Sequence, residues 1–363
     1  MQILDYIRFA LYRSQEVVTE CDSGSIIEYG PHLPTVSQLL QLLCTANEQL
    51  ECTTKKLALC KFGLERYGTD PANLMFFTGF SNHKQLMEFF EWLKPLGQQM
   101  SYPYSVSKSG IGLARNRRLI MCDEFFLTLC RLHAGLLEQD LADRFRISLA
   151  TVSRVFLAWL NLLYVVLGSI SVWPSRAAID YFMPATMKAN FPNVRVIIDC
   201  TEIFTQKPSS LVANSQMYSS YKSHSTFKVL VGIAPHGPFT FISSLFTGSI
   251  SDVELTKVSG LLDLLQPGDA VMADKGFTIG KLLAEHDVGL VIPHFLSARG
   301  QFTSDEVAQN DAITACRVHV ERAIRRVKEN RILQGIIPLS MLGSINQIWT
   351  VCCLLSNFRG SLF

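Results

Sequence analysis

The sequence predicts an α/β protein: a mixed sheet with helices packed on it, preceded by an all-α region. Three observations predict this. Apolar residues recur at helical spacing through about residue 167. The texture turns from helix to strand after Pro174 and Pro184. From there the order runs strand, hairpin of two strands, helix, strand, helices, which suits a mixed sheet rather than a bundle or a sandwich.

Taken in order, Leu39, Leu40, Leu42 and Leu43, then Leu57, Leu59, Phe62 and Leu64, have helical spacing, broken by Tyr67-Gly68-Thr69-Asp70-Pro71. A further helix is expected over His83–Leu93. Ser101–Lys108 reads as a linker, and Lys108, Arg115, Arg117 and Arg118 form a local basic patch. Three helices follow: Asp123–His133, Glu138–Phe145 and one from Leu149 onward. Ser148 is the expected N-cap after the short turn Arg146-Ile147, and Leu141, Ala142, Phe145, Ile147, Val152 and Val155 have the spacing of a helix-turn-helix core. That geometry sets Thr151, Ser153 and Arg154 on or near the exposed face of the second helix, where a DNA reader places its groove contacts. A purely structural three-helix bundle accounts for the same spacing. The expected domains are 1–110, mainly helical; 111–168, the helix-turn-helix; and 190–357, the sheet domain.

Val155–Trp173 is 19 residues without a charge, about the length that spans a bilayer. Asn161, Gly168, Ser169 and Ser171 dilute it and Arg154 and Arg176 flank it symmetrically, so a buried helix running into a strand or loop, with no membrane, is the expectation. Beyond it, Val194–Asp199 reads as a central strand. Thr226–Ala234 and Phe239–Phe246 flank Pro235-His236-Gly237-Pro238 as a hairpin. Ser251–Leu265 reads as a helix ended by Pro267-Gly268, Ala270–Asp274 as a short strand, and Cys316–Leu333 as a basic helix.

At 363 residues and 48% hydrophobic, the chain buries a sizeable core. Lys+Arg of 33 against Asp+Glu of 31 leaves a formal charge of +2, so any nucleic-acid surface must be local. Ten cysteines without a C-x-x-C pair read as buried, reduced thiols. Met1–Ala10 carries Asp5 and Arg8 and shows no secretory signal.

Three carboxylates carry the chemistry. Asp199 ends one apolar strand and Asp274 ends another, 274 − 199 = 75 residues later; Glu321 follows after 321 − 274 = 47 more, in the basic helix. A carboxylate at the end of a buried strand is costly unless paired, hydrogen-bonded or bound to a cation. Three oxygen donors without a His/Cys set suit a hard cation, Mg²⁺ or Mn²⁺. Two such ions about 4 Å apart activate an attacking hydroxyl and stabilise the leaving oxygen of a phosphodiester. Plainer roles account for each residue singly: Asp199 as a turn cap, Asp274 as a turn residue before Gly276, Glu321 as the ion-pair partner of Arg317 and Arg325. The basic helix sets Arg317, Arg322, Arg325, Arg326, Lys328 and Arg331 against Glu321 and Glu329, a formal 6 − 2 = +4 for phosphates. Lys222, His224 and Lys228 beside Tyr218 and Tyr221 form a basic-aromatic cluster fit to line a DNA channel. Asp252, in Gly248–Asp252, is the expected cap of the helix it begins, with a role near the site second.

IIDCTEIF (197–204), YSSYKSHSTFKVLVGIAPHG (218–237), GSISD (248–252), ADKGF (273–277) and HVERAIRRVK (319–328), in that order, resemble the Harbinger-type DDE superfamily endonucleases. The resemblance covers about residues 120–357. It implies a ribonuclease-H-like fold, a helix-turn-helix ahead of it, and a metal-holding acidic triad of Asp199, Asp274 and Glu321 that cleaves or joins DNA with Mg²⁺ or Mn²⁺. Residues 62–80 are similar to the segment between a THAP zinc finger and the nuclease in animal relatives. The Cys-x-Cys and Cys-x-x-His pairs of that finger do not occur among Cys21, Cys44, Cys52 and Cys60, so the chain reads either as a truncated copy or as one that relies on another DNA reader, such as a separate DNA-binding subunit; a homo-oligomer and a nuclear location are expected. Nucleic-acid contacts are expected from Thr151, Ser153, Arg154, Lys222, His224, Arg322 and Arg325. The competing expectations are a former transposase kept as a catalytically silent DNA-binding or partner-binding protein and, third, a membrane-associated protein.

Overall fold

A computed structural model describes residues 36–100, 102, 119–296 and 300–360. The expected basic patch at Lys108–Arg118, most of the linker before it and Cys21 lie outside the described residues. The chain divides into two compact units, residues 1–56 and 57–363. In the first, the described residues belong to helix α1 (Val36–Cys60), on which Leu39, Leu40, Leu42, Leu43 and Leu50 are exposed. Cys44, Cys52 and Cys60 are exposed too, against the expectation of buried thiols.

The second unit begins with helices α2 (Pro71–Thr78) and α3 (His83–Gln98). Asp70 caps α2 through the Ala72 amide with Pro71 at the first turn, and Asn82 caps α3 through Lys84. The three-helix expectation holds closely: α4 (Met121–Leu129) runs into a π-helical turn, Cys130–Ala134, followed by α5 (Glu138–Phe145) and α6 (Leu149–Ser169). Arg146 adopts the left-handed conformation (φ 54°) that ends α5, and Ser148 accepts from the Thr151 amide at 3.3 Å to begin α6. By length and composition α6 passes for a membrane span, but Val152, Val155, Phe156, Trp159, Leu160, Leu163 and Leu167 are buried against other protein elements, so it packs as the core helix that the diluted sequence predicts. Trp159 stacks near Phe125 (5.3 Å) and donates its Nε1–H to the buried Glu124 carboxylate, which also accepts from the Tyr102 hydroxyl.

Seven strands among the described residues form one mixed sheet: β1 (Val194–Phe204), β2 (Tyr218–Ser219), β3 (His224–Ile233), β4 (Phe239–Ile242), β5 (Phe246–Thr247), β6 (Ala270–Met272) and β7 (Gly289–Val291). The spatial order is β2-β3-β1-β6-β7, with β1 antiparallel to β3 but parallel to β6, and β6 parallel to β7. The outer edge of β3 is tiled in turn by β2, β5 and β4. The expected hairpin forms, but its second arm breaks at Ser243–Leu245. There Ser243 accepts from the Leu230 amide through Oγ, and the Leu245 amide turns to Asn346. The expected helix over Ser251–Leu265 shortens to α7 (Asp252–Val258) and a 3₁₀ turn (Leu262–Leu264), because Gly260 takes φ 84° between them. The basic helix is longer toward its start: α8 (Ser304–Lys328) opens on a capping box, Thr303 with Glu306, and a 3₁₀ turn at Arg331–Leu333 follows it. The last helix is α9 (Ile345–Ser356).

Both faces of the sheet are buried. Ile197, Val229 and Val231 join a core that runs continuously from Leu64 through Trp159 to Val320, Val327 and Trp349, while Val196, Ile198 and Leu230 pack with Leu255, Leu261, Phe277 and Leu283 on the other side. From Val196 onward, past the irregularity at Val194–Val196, strand alternation turns odd-numbered residues of β1 toward α8 and even-numbered ones toward α7.

Candidate active site

Asp199 does not end its strand. β1 continues to Phe204 because β3 pairs with it from Ile197 onward, Asp199 opposite Val231, which overturns the expected strand end at Asp199 and the alternative of a turn cap with it. The strand that does stop is β6. Its last pair with β1 is Met272 with Ile197; Asp274 lies two residues beyond that pair, near enough to Asp199 for its charge to act on the Asp199 carboxyl. Asp199 shares the parity of Ile197 and so lies on the α8 side, where Glu321 is carried. Asp274 caps its own turn by accepting from the Lys275 amide at 2.7 Å, and Asp199 accepts from the Cys200 amide at 2.8 Å.

One guanidinium ties this edge together. Arg317 is 2.9 Å from Asp274 through Nη1 and 3.6 Å from Glu321 through Nη2, with its own side chain only 12% exposed. Burial pushes the Asp199 carboxyl up to about 6, and Glu321 and Asp274 add to the rise; the Cys200 amide and Arg317 oppose it. Three carboxylates thus share one cation, and the most buried of them is undercompensated. The donor set is all oxygen and suits a hard divalent ion. Among the described residues no three His, Cys, Asp or Glu side chains stand grouped to hold an ion, since Arg317 lies where Asp274 and Glu321 would converge. The ion-pair role read for Glu321 is thereby real for Arg317; Arg325 points elsewhere, into a cavity on another face of α8.

Lys328, two turns beyond Glu321 on the same face, donates to the Glu202 carbonyl at 3.1 Å. Burial lowers its ammonium's affinity for the proton, with Lys222 adding to this and Glu202 and Asp199 opposing. The buried Glu202 carboxylate accepts from Ser219 and Thr226. Lys328 was legible as a helical neighbour of Glu321 at i+7; Glu202 gave no such signal, because its partners come from other strands.

The remaining expected residues divide. Lys222 is exposed beside Tyr221, its Nζ 4.4 Å from the ring centroid, while His224 is half-buried and packs on Phe204 at 5.4 Å. Lys228 is withdrawn from the expected channel: it pairs with Asp252 at 2.6 Å and donates to the Ile250 carbonyl. Asp252 is not the cap of α7 either, since Ser251 accepts from the Glu254 amide and leaves Asp252 to bind Lys228. Thr151, Ser153 and Arg154 are half-buried rather than exposed, and Arg154 folds back to the Ala150 carbonyl and Thr151 hydroxyl of its own helix. Arg322 and Arg325 are exposed on α8.

Residues 198–357 match the family described as DDE superfamily endonuclease, and residues 117–169 match the helix-turn-helix of DDE superfamily endonuclease. No curated protein matches the chain. Both matched segments, residues 117–169 and 198–357, are thus similar to the DDE superfamily of transposase endonucleases, a helix-turn-helix followed by an endonuclease domain.

Proposed function

We propose that the chain is a Harbinger-type, transposase-derived endonuclease of ribonuclease-H-like fold that cleaves or joins DNA phosphodiester bonds in the nucleus. The helix-turn-helix of residues 111–168 and the nuclease domain of residues 190–357 act together. The observation that supports the reading is the Arg317 bridge between Asp274 and Glu321, with Asp199 near enough to feel all three charges.

Asp199, Asp274 and Glu321 are the residues that would hold Mg²⁺ or Mn²⁺. When bound, the ions activate the attacking hydroxyl and stabilise the leaving oxygen. The chain's own residues prepare that site. Burial raises the Asp199 carboxyl only to about 6, below neutral pH, so it stands ionised and would be available to a cation. Arg317 neutralises part of the carboxylate repulsion, and a cation held by Asp274 and Glu321 would compete with it for them. Lys222 and Tyr221, exposed on the turn before β3, orient incoming phosphates, and Thr151, Ser153 and Arg154 would have to unfold from their helix-bound rotamers to reach a groove.

A second reading has an observation of its own. A guanidinium seated between Asp274 and Glu321 is the arrangement expected of a catalytically silent relative in which Arg317 has replaced the cation for good. Nicking of supercoiled DNA by the purified chain in Mg²⁺ or Mn²⁺ separates the two. Activity lost both with chelator and in Asp274→Asn supports the nuclease; wild-type protein as inert as Asp274→Asn, on transposon-end DNA as well, supports the silent protein.

A further inference from the structure

On a different face of α8 from Glu321 lies a cavity of about 700 Å³ that the nuclease site does not use. Its wall holds five arginines, Arg322, Arg325, Arg326, Arg331 and Arg359, against a single carboxylate, Glu329. Arg359 is fixed in place, 7% exposed, donating to Asn330 Oδ1 and to His133 Nδ1. The field there is positive enough that the Arg359 guanidinium, after burial, helps hold the His133 imidazole neutral. Anions are what such a surface attracts.

The remaining wall is apolar. Met75 and Phe76 stand 39% and 44% exposed at the cavity, and the Arg331 guanidinium lies over the Phe76 ring at 4.8 Å. The volume falls within the roughly 300–1,000 Å³ of cavities that hold small organic molecules, more than one phosphate fills. A duplex backbone offers only sugar and phosphate and leaves the Met75–Phe76 wall without a partner. A nucleotide whose base has left the stack offers both halves: phosphate for the arginines and a flat ring for the Phe76–Arg331 pair.

We propose that this cavity receives one nucleotide of an unpaired DNA strand, phosphate on the arginines and base against Phe76 and Arg331. The inference rests on the nuclease reading only for the kind of nucleic acid present. Cleavage staggered between the two strands would leave unpaired ends for the cavity, and α8 carries both Glu321 and the cavity arginines Arg322, Arg325 and Arg326.

The test uses the full chain carrying Asp274→Asn, so that probes survive, with fluorescence anisotropy of a labelled oligothymidylate and of a blunt duplex. Phe76→Ala is expected to weaken the single strand at least about fivefold, the lower bound for one stacked base, and to leave the duplex unchanged. Arg325→Gln with Arg331→Gln is expected to flatten the single-strand salt slope by about 0.7, the value for one neutralised phosphate. Equal effects of Phe76→Ala on both probes, or none on the single strand, overturn the proposal, as does an unchanged salt slope in the double variant. Free thymidine monophosphate displacing the strand at its own stoichiometric affinity also overturns it, in favour of a mononucleotide pocket. If nicking by the wild type fails while the Phe76-dependent preference persists, only the nuclease reading falls; if nicking holds and Phe76→Ala has no effect, only the cavity proposal falls.

Discussion

His133 makes the stability of the second unit depend on pH. Its ring packs beside the π-helical turn, Nδ1 accepts from Arg359 Nη2 at 2.9 Å, and the same guanidinium donates to Asn330 at 2.6 Å. Burial, then Arg359, lowers the imidazole from 6.5 to about 4, while hydrogen bonds to Asn330 and the Met75 backbone oppose. With the folded value below the unfolded one, the unfolded chain binds the extra proton between pH 6.5 and 4. Stability is therefore complete above about pH 6.5 and is lost as pH falls toward 4. At 1.36 kcal/mol per pH unit, the loss is about 2 kcal/mol by pH 5 and at most about 3 kcal/mol at pH 4. Urea unfolding of wild type and His133→Gln at pH 7.5 and pH 5 measures it. Gln accepts from Arg359 but does not titrate, so the variant is expected to lose about 2 kcal/mol less than wild type between the two conditions. The same loss in both proteins refutes the assignment of a buried, neutral His133.

Other perturbations probe other links. Arg317→Met removes the guanidinium shared by Asp274 and Glu321; because both carboxylates are about half exposed, stability changes by about 1 kcal/mol or less, while Mn²⁺ binding by calorimetry tightens. Unchanged Mn²⁺ affinity would show that Arg317 does not compete with the ion. Trp159→Ala opens a fully buried site and strips Glu124 of a donor, with an expected cost of about 3–5 kcal/mol in urea unfolding. Ser148→Ala, which removes the cap of α6, costs about 1 kcal/mol in the same measurement. Gly248→Ala sets a methyl 2.1 Å from Thr226 Oγ1 and 2.7 Å from the Met217 carbonyl, so a drop in melting temperature matching about 1–3 kcal/mol is expected, and a neutral effect would contradict the close approach.

Local chemistry is what the sequence by itself determined. The helix-turn-helix could be read because its signals sit within a few residues of one another: the apolar spacing from Leu141 to Val155, the turn at Arg146-Ile147 and the cap at Ser148. Strands β1, β3 and β4 showed in runs of apolar residues around a turn, and Asp199, Asp274 and Glu321 stood out as carboxylates in or beside apolar segments. The extent of β1 came only from the fold, since its length past Asp199 is set by pairing with β3, from Cys200 with Leu230 to Phe204 with Thr226. The same holds for Lys228, which sequence reading gave to a DNA channel and the fold gives to Asp252, and for Ser251, which takes the cap from its neighbour. Arg317 reaches Asp274 and Arg325 faces the cavity because packing of Val320, Ala323, Ile324 and Val327 against the sheet fixes the rotation of α8. Spacing along a chain states which residues share a helix face; which partner that face meets depends on strand register and helix rotation, and those are set by contacts between segments far apart in sequence.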